Sequence, residues 1–137
     1  MVGDVDEAGQ RLIQATEECL AVGLDVCGPS VPFSAIGEAI YKHAWKNGFS
    51  VVGGFTGHGI GTYFHGPPDV YHVPNRWYKE VMLPGMTFTV EPILTEGNDR
   101  IIILHDGWTA VTADHSRSAQ VEHTVLVTEN GTEVLTI

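Results

Sequence analysis

Apolar residues Leu12, Ala15, Cys19 and Val22 recur at helical spacing between Asp6 and about Leu24. That spacing predicts an amphipathic helix, with Asp6 and Glu7 in the first turn, where the helix dipole favours acids. Gly28-Pro29-Ser30 interrupts the chain, and Phe33, Ile36, Ile40 and Ala44 trace a second helical stripe that ends at Asn47-Gly48, a left-handed cap. After Gly48 the period shortens to that of strands. Phe49-Ser50-Val51-Val52 predicts a short one, and Met86 to Glu91 alternates strictly, with Thr87, Thr89 and Glu91 on the polar face. The run Gln120 to Val127 predicts another strand, with Gln120, Glu122 and Thr124 together and Val121, His123 and Val125 opposite. Ile101 to Leu104 predicts a buried strand or hairpin arm and Trp108 to Thr112 a second, while Glu129-Asn130-Gly131-Thr132 is a turn before a last strand, Glu133 to Ile137. Residues 65 to 85 hold Pro67, Pro68, Pro74 and Pro84 with few periodic apolar positions, which predicts a long loop of the kind that often carries function. The expected class is α/β (α+β): two helices followed by a mainly antiparallel sheet.

Composition narrows the picture. With 137 residues and 43% hydrophobic content, the chain suits one domain around an apolar core, without repeat, low-complexity tract or linker. Cys19 and Cys27 have neither CxxC spacing nor the framework of a secreted domain, so they read as buried or free thiols. A net charge of -10 without a basic cluster argues against nucleic acid or a membrane surface as partner, and for something small or cationic. No apolar run approaches the roughly 20 residues of a membrane span, and the acidic start lacks the basic-then-apolar order of a signal peptide. The expected location is intracellular, cytoplasmic or mitochondrial.

Three short motifs carry potential ligands: His58 in Gly57-His58-Gly59-Ile60-Gly61, Glu91 in Phe88-Thr89-Val90-Glu91-Pro92, and Glu122 in Ser118-Ala119-Gln120-Val121-Glu122-His123-Thr124. Taken singly, each reads as a solvated or hydrogen-bonded side chain. Their context changes that balance. Glycines on both sides of His58 let the backbone approach another group closely, and Pro92 removes a ladder donor next to Glu91. One imidazole and two carboxylates suit a divalent metal, although about five or six donors are usual for a pair of ions. His65, beside Phe64, is either a proton donor near that site or a loop histidine, and Phe64 and Trp108 are either core aromatics or the walls of an apolar pocket. His43, His72, His105, His115 and His123 have no ligand-like spacing and read as structural. A nucleotide loop is not indicated, because Thr62 breaks GxGxxG and no GKS or GKT follows.

Together the motifs resemble type I methionine aminopeptidases of peptidase family M24. The match is carried by Gly57-His58-Gly59-Ile60-Gly61 with Phe64-His65, by Phe88 to Ile93, by Asp106-Gly107-Trp108-Thr109-Ala110-Val111-Thr112, and by Arg117 to Thr128. It runs from about Val2 to Ile137. The resemblance implies the C-terminal portion of a pita-bread fold, removal of the initiator methionine from nascent polypeptides, and two divalent metal ions drawn from cobalt, manganese, iron or zinc. By the same resemblance His58 binds metal, Glu91 binds metal and serves as general base, and Glu122 bridges both ions. His65 contacts the scissile amide, and Phe64 and Trp108, with His58 and His65, line the substrate site.

The family also carries two aspartate ligands on paired strands upstream of the region matched here, with a further histidine that contacts substrate. Asp4 and Asp6 are not those aspartates, so residues 1–137 read as a partial catalytic domain, with exposed strand edges and apolar surface expected where the other half or another copy would pack. Two alternatives stand beside this reading. One is a non-catalytic pseudoenzyme or peptide- or partner-binding module, motivated by the missing ligands. The other is a pita-bread peptidase that cleaves before proline, against which the Asp106-Gly107-Trp108-Thr109 and Ser118-Ala119-Gln120 motifs speak.

Overall fold

The computed structural model describes residues 1–136. Helix α1 spans Glu7–Asp25 and α2 spans Ser34–Lys46. Asp6 caps α1, its carboxylate accepting from the Gly9 amide at 2.8 Å. The buried face of α1 runs through Leu12, Ala15, Thr16, Cys19, Leu20 and Gly23, so the stripe turns onto Leu20 and Gly23 and leaves Val22 half-buried. Gly23 sits against Ile40 of α2, whose own buried residues are Ile36, Gly37, Ile40 and Ala44. Glu18 and His43 join the two helices at their rim, Oε2 to Nε2, at 2.9 Å. The chain leaves α2 through Asn47 and Gly48, the latter at φ +80°, as the sequence predicts. Cys19 is buried and Cys27 half-buried, both as free thiols, and burial pushes each up to about 12.

Strands follow as β1 (Ser50–Val51), β2 (Gly57–Gly59), β3 (Gly66–Val70), β4 (Thr87–Val90), β5 (Ile93–Thr95), β6 (Ile101–Ile103), β7 (Ala110–Thr112), β8 (Ser118–Gln120), β9 (His123–Val127) and β10 (Thr132–Val134). They form a five-stranded sheet in the order β10-β9-β4-β2-β3, a three-stranded sheet β1-β5-β8, and the hairpin β6-β7. Every recorded strand pairing is antiparallel. The core lies between the helices and the sheets, where the rings of Phe33 and Phe88 meet edge to face at 4.9 Å among Ile36, Ile40, Val90, Leu94 and Val125. Each such side chain contributes roughly 1.5–3 kcal/mol by leaving water.

Five expectations need correction. The run Gln120 to Val127 is not one strand: it breaks at Val121-Glu122 where the chain passes from β8 to β9, from one sheet to the other. The proline-rich stretch is not wholly loop, because Gly66–Val70 forms β3, an edge strand with a partner on only one side, where proline's missing N–H goes unneeded. Ile101–Ile103 is a hairpin arm but not a buried one, with Ile102 50% exposed, and Trp108 lies in the turn before β7 rather than in a strand. The last strand stops at Val134; Thr136 instead turns its hydroxyl to His123 and Thr124, and Ile137 lies outside the described residues.

Candidate metal centre

His58 stands on β2 between two glycines that have no room for a side chain. A Cβ on Gly57 would overlap the Thr89 carbonyl, and one on Gly59 the Pro67 carbonyl, because β2 is clasped between β4 and β3. The imidazole Nδ1 lies 3.2 Å from the Gly59 carbonyl, an acceptor only, so Nδ1 carries a proton and Nε2 is the atom turned toward the site. That Nε2 lies 3.5 Å from Oε1 of Glu91.

Glu91 is the first residue beyond β4, and Glu122 the last before β9. On one side of the break Val90 pairs with His123, and on the other Ile93 pairs with Gln120. The register is the same on both sides, so Glu91 falls directly opposite Glu122 at the point where the ladder opens. Ligand atoms of His58, Glu91 and Glu122 all lie within 4.8 Å of one another. Like charges placed opposite on neighbouring strands destabilise a sheet. A cation between them reverses that sign, and one imidazole nitrogen with two carboxylates is a suitable donor set for a divalent ion.

The carboxylate of Glu91 is tightly held. Thr89 Oγ1 donates to its Oε1 at 2.7 Å while itself accepting from the His58 amide at 3.0 Å, so one hydroxyl couples two of the three donor residues. Gln120 Nε2 donates to Oε2 at 3.1 Å. The His58 and Glu91 side chains are only 12% and 15% exposed. Burial raises the Glu91 carboxyl above its ordinary value; the Thr89 hydrogen bond opposes that rise and the facing charge of Glu122 adds to it.

His65 lies edge-on to His58, ring centroids 4.3 Å apart, and Phe64 packs against both histidines. A cavity of about 420 Å³ opens among Phe55, Thr56, His58, His65, Asp69 and Glu91. Trp108, 88% exposed in the β6-β7 turn, is not among the residues that line it. The polar face expected on Met86 to Glu91 is real, but it turns toward this site rather than toward water, with Thr89 fully buried. Gln120 and Glu122, grouped by alternation, do lie together at the site.

One participant carried no signal in the sequence. His72, grouped there with four structural histidines, is 1% exposed, and its Nε2 accepts from the Glu91 backbone amide at 3.0 Å. Of the other four, His43 bonds Glu18, His123 follows Glu122 but turns its Nδ1 to Thr136, and His105 and His115 are exposed.

Comparison with known proteins identifies the family and the fold. The profile of metallopeptidase family M24 matches residues 1–129. The chain is 46% identical over 136 residues to the mitochondrial methionine aminopeptidase 1D of Homo sapiens, an alignment covering 99% of this chain and 40% of that protein. It is 50% identical over 135 residues to methionine aminopeptidase 1A of Arabidopsis thaliana, covering 98% of this chain and 34% of the relative. The crystal structure of methionine aminopeptidase from Rickettsia prowazekii superposes with a TM-score of 0.95 at 42% identity, over 98% of this chain and 55% of that one. The chain thus spans between about a third and a half of the length of these relatives.

Proposed function

Because the chain belongs to metallopeptidase family M24 and has its pita-bread fold, we propose that it supplies the C-terminal part of a methionine aminopeptidase catalytic domain, which hydrolyses the bond after an N-terminal methionine. The observation that carries this reading is the convergence of His58, Glu91 and Glu122 within 4.8 Å. His58 and Glu91 would hold one divalent ion and Glu122 would be shared with a second, whose remaining ligands come from outside this chain. Such ions, whether cobalt, manganese, iron or zinc, supply positive charge that polarises a scissile carbonyl and makes a water more acidic.

The chain's own residues do the rest. Glu91, with its pKa raised by burial and by Glu122, is suited to take a proton and return it to the leaving amine. Thr89 and Gln120 hold its two oxygens so that the carboxylate does not swing away. His65, at the mouth of the cavity, would donate from its ring to the scissile amide as charge develops. The resemblance assigns Phe64 and Trp108 to the methionine side chain, although both are exposed and neither lines the cavity beside His58 and Glu91. The partner is the N-terminus of a nascent polypeptide, and a net charge of -10 favours approach of its ammonium group.

Calorimetric titration with Mn²⁺ or Co²⁺ tests the metal assignment. The expected result is one bound ion per chain, lost in His58→Ala, with cleavage of Met-Ala rather than Ala-Pro once the chain is joined behind the upstream half of a relative. Absence of cation binding would overturn it. The donor count of three favours one second reading, a non-catalytic peptide-binding module; cation binding without Met-Ala cleavage by the joined protein would select that reading.

A further inference from the structure

His72 lies outside the proposed donor set, yet it is a buried polar side chain in direct contact with it. Its ring is 1% exposed and stands between two backbone segments. Nε2 accepts from the Glu91 N–H at 3.0 Å. The backbone of Phe55, three residues before His58, lies close to the same ring. Since Nε2 is engaged as an acceptor, the proton of the neutral ring resides on Nδ1. One neutral imidazole therefore supports, from beside the segment that delivers His58, the main chain that delivers Glu91.

The Glu91 amide needs such a partner. It sits at the break between β4 and β5, where no ladder bond is formed, and Pro92 behind it has no N–H to restore the pairing. A buried amide left without an acceptor costs about 1–3 kcal/mol. Backbone at that point relaxes by rotating toward any available acceptor, and rotation about Glu91 would carry its carboxylate away from His58 and Glu122.

We propose that His72 is a positioning residue for the metal centre: through Nε2 it replaces the missing ladder acceptor at Glu91 and so fixes the main chain from which that carboxylate projects. This rests on the reading of Glu91 as a ligand. Thr89 and Gln120 hold the Glu91 carboxylate; His72 holds the main chain from which it projects.

Three proteins test the inference: the unsubstituted chain, His72→Gln, whose amide can accept and donate, and His72→Phe, which fills the space without an acceptor. Metal-free samples are compared by ¹⁵N NMR of the ring and by hydrogen exchange of the Glu91 amide, and all three by calorimetric titration with Mn²⁺. The expected ring carries its proton on Nδ1. His72→Phe should lose at least about tenfold in Glu91 amide protection and about 10–100-fold in Mn²⁺ affinity, and His72→Gln should recover most of both. Ile40→Val, a core substitution away from the site, should weaken folding without changing Mn²⁺ affinity.

A proton on Nε2 would overturn the inference. So would a folded His72→Phe with unchanged amide protection and Mn²⁺ affinity, or a His72→Gln no better than His72→Phe. If His72→Phe does not fold, the ring tautomer and His72→Gln still decide. Failure of the unsubstituted chain to bind Mn²⁺ would instead sink the metal assignment, leaving the tautomer and amide protection to judge whether His72 orders Glu91.

Discussion

Glu91 and Glu122 face one another across a gap in an otherwise continuous antiparallel register, with paired residues on either side of them. Nothing in the described protein neutralises both, since His58 is the one basic ligand in the group. Removing one charge therefore has opposite effects on the empty and the loaded site. Glu122→Gln should raise metal-free stability by roughly 0.2–1 kcal/mol, the cost of like charges placed opposite on neighbouring strands. It should also weaken Mn²⁺ binding by more than about tenfold through loss of a charged oxygen donor. Urea unfolding and calorimetry on the same samples check both signs; lower metal-free stability would refute the charge argument.

Acid should weaken the fold through His72. Burial holds this histidine at about 4, below its ordinary 6.5. The unfolded chain thus binds a proton that the folded chain refuses, so His72's stabilising contribution is complete above pH 6.5 and is lost as pH falls toward 4. Urea midpoints across that interval should decline more steeply for the unsubstituted chain than for His72→Gln. Parallel profiles would show that His72 protonates freely in the folded state.

Glycines within one motif should respond differently to alanine. Gly57→Ala and Gly59→Ala each place a methyl against a neighbouring backbone carbonyl, whereas a methyl on Gly61 meets nothing within 4 Å. The first two should cost at least about 1–3 kcal/mol, and Gly61→Ala should stay within about 0.5 kcal/mol of the parent. Denaturant unfolding of the three variants separates close strand approach from a general need for flexibility.

Asp6 serves both the Gly9 amide and Arg117, whose guanidinium also pairs with Glu96. The cap should outweigh the exposed ion pair. Asp6→Ala should lower the melting temperature clearly, while Asp6→Asn, which keeps a capping oxygen but gives up the charge, should lower it only slightly. Equal losses in thermal melts would mean that the ion pair carries the contribution.

Much of this was legible in residue order. The stripes on α1 and α2 follow from 3.6-residue periodicity, and Leu12, Ala15, Cys19, Ile36, Ile40 and Ala44 are buried as that period requires. The candidate donors His58, Glu91 and Glu122 stand out in their motifs, and Pro92 marks the end of β4. The strand reading failed where alternation continued through a sheet change: Gln120 to Val127 keeps its period while the chain crosses from β8 to β9. Pro67 and Pro68 suggested loop because their edge position in β3 depends on which strand neighbours them.

Local periodicity and chemical type, both properties of neighbouring residues, determined the helices, the glycine-flanked histidine and which three side chains are candidate donors. Tertiary structure alone decided that Glu91 stands opposite Glu122, that Gln120 reaches Glu91 from 29 residues away, and that His72 lies beneath the same glutamate. Those relations come from strand register and from the burial of a polar ring. Both are settled only when distant segments pack and each buried donor must find its acceptor.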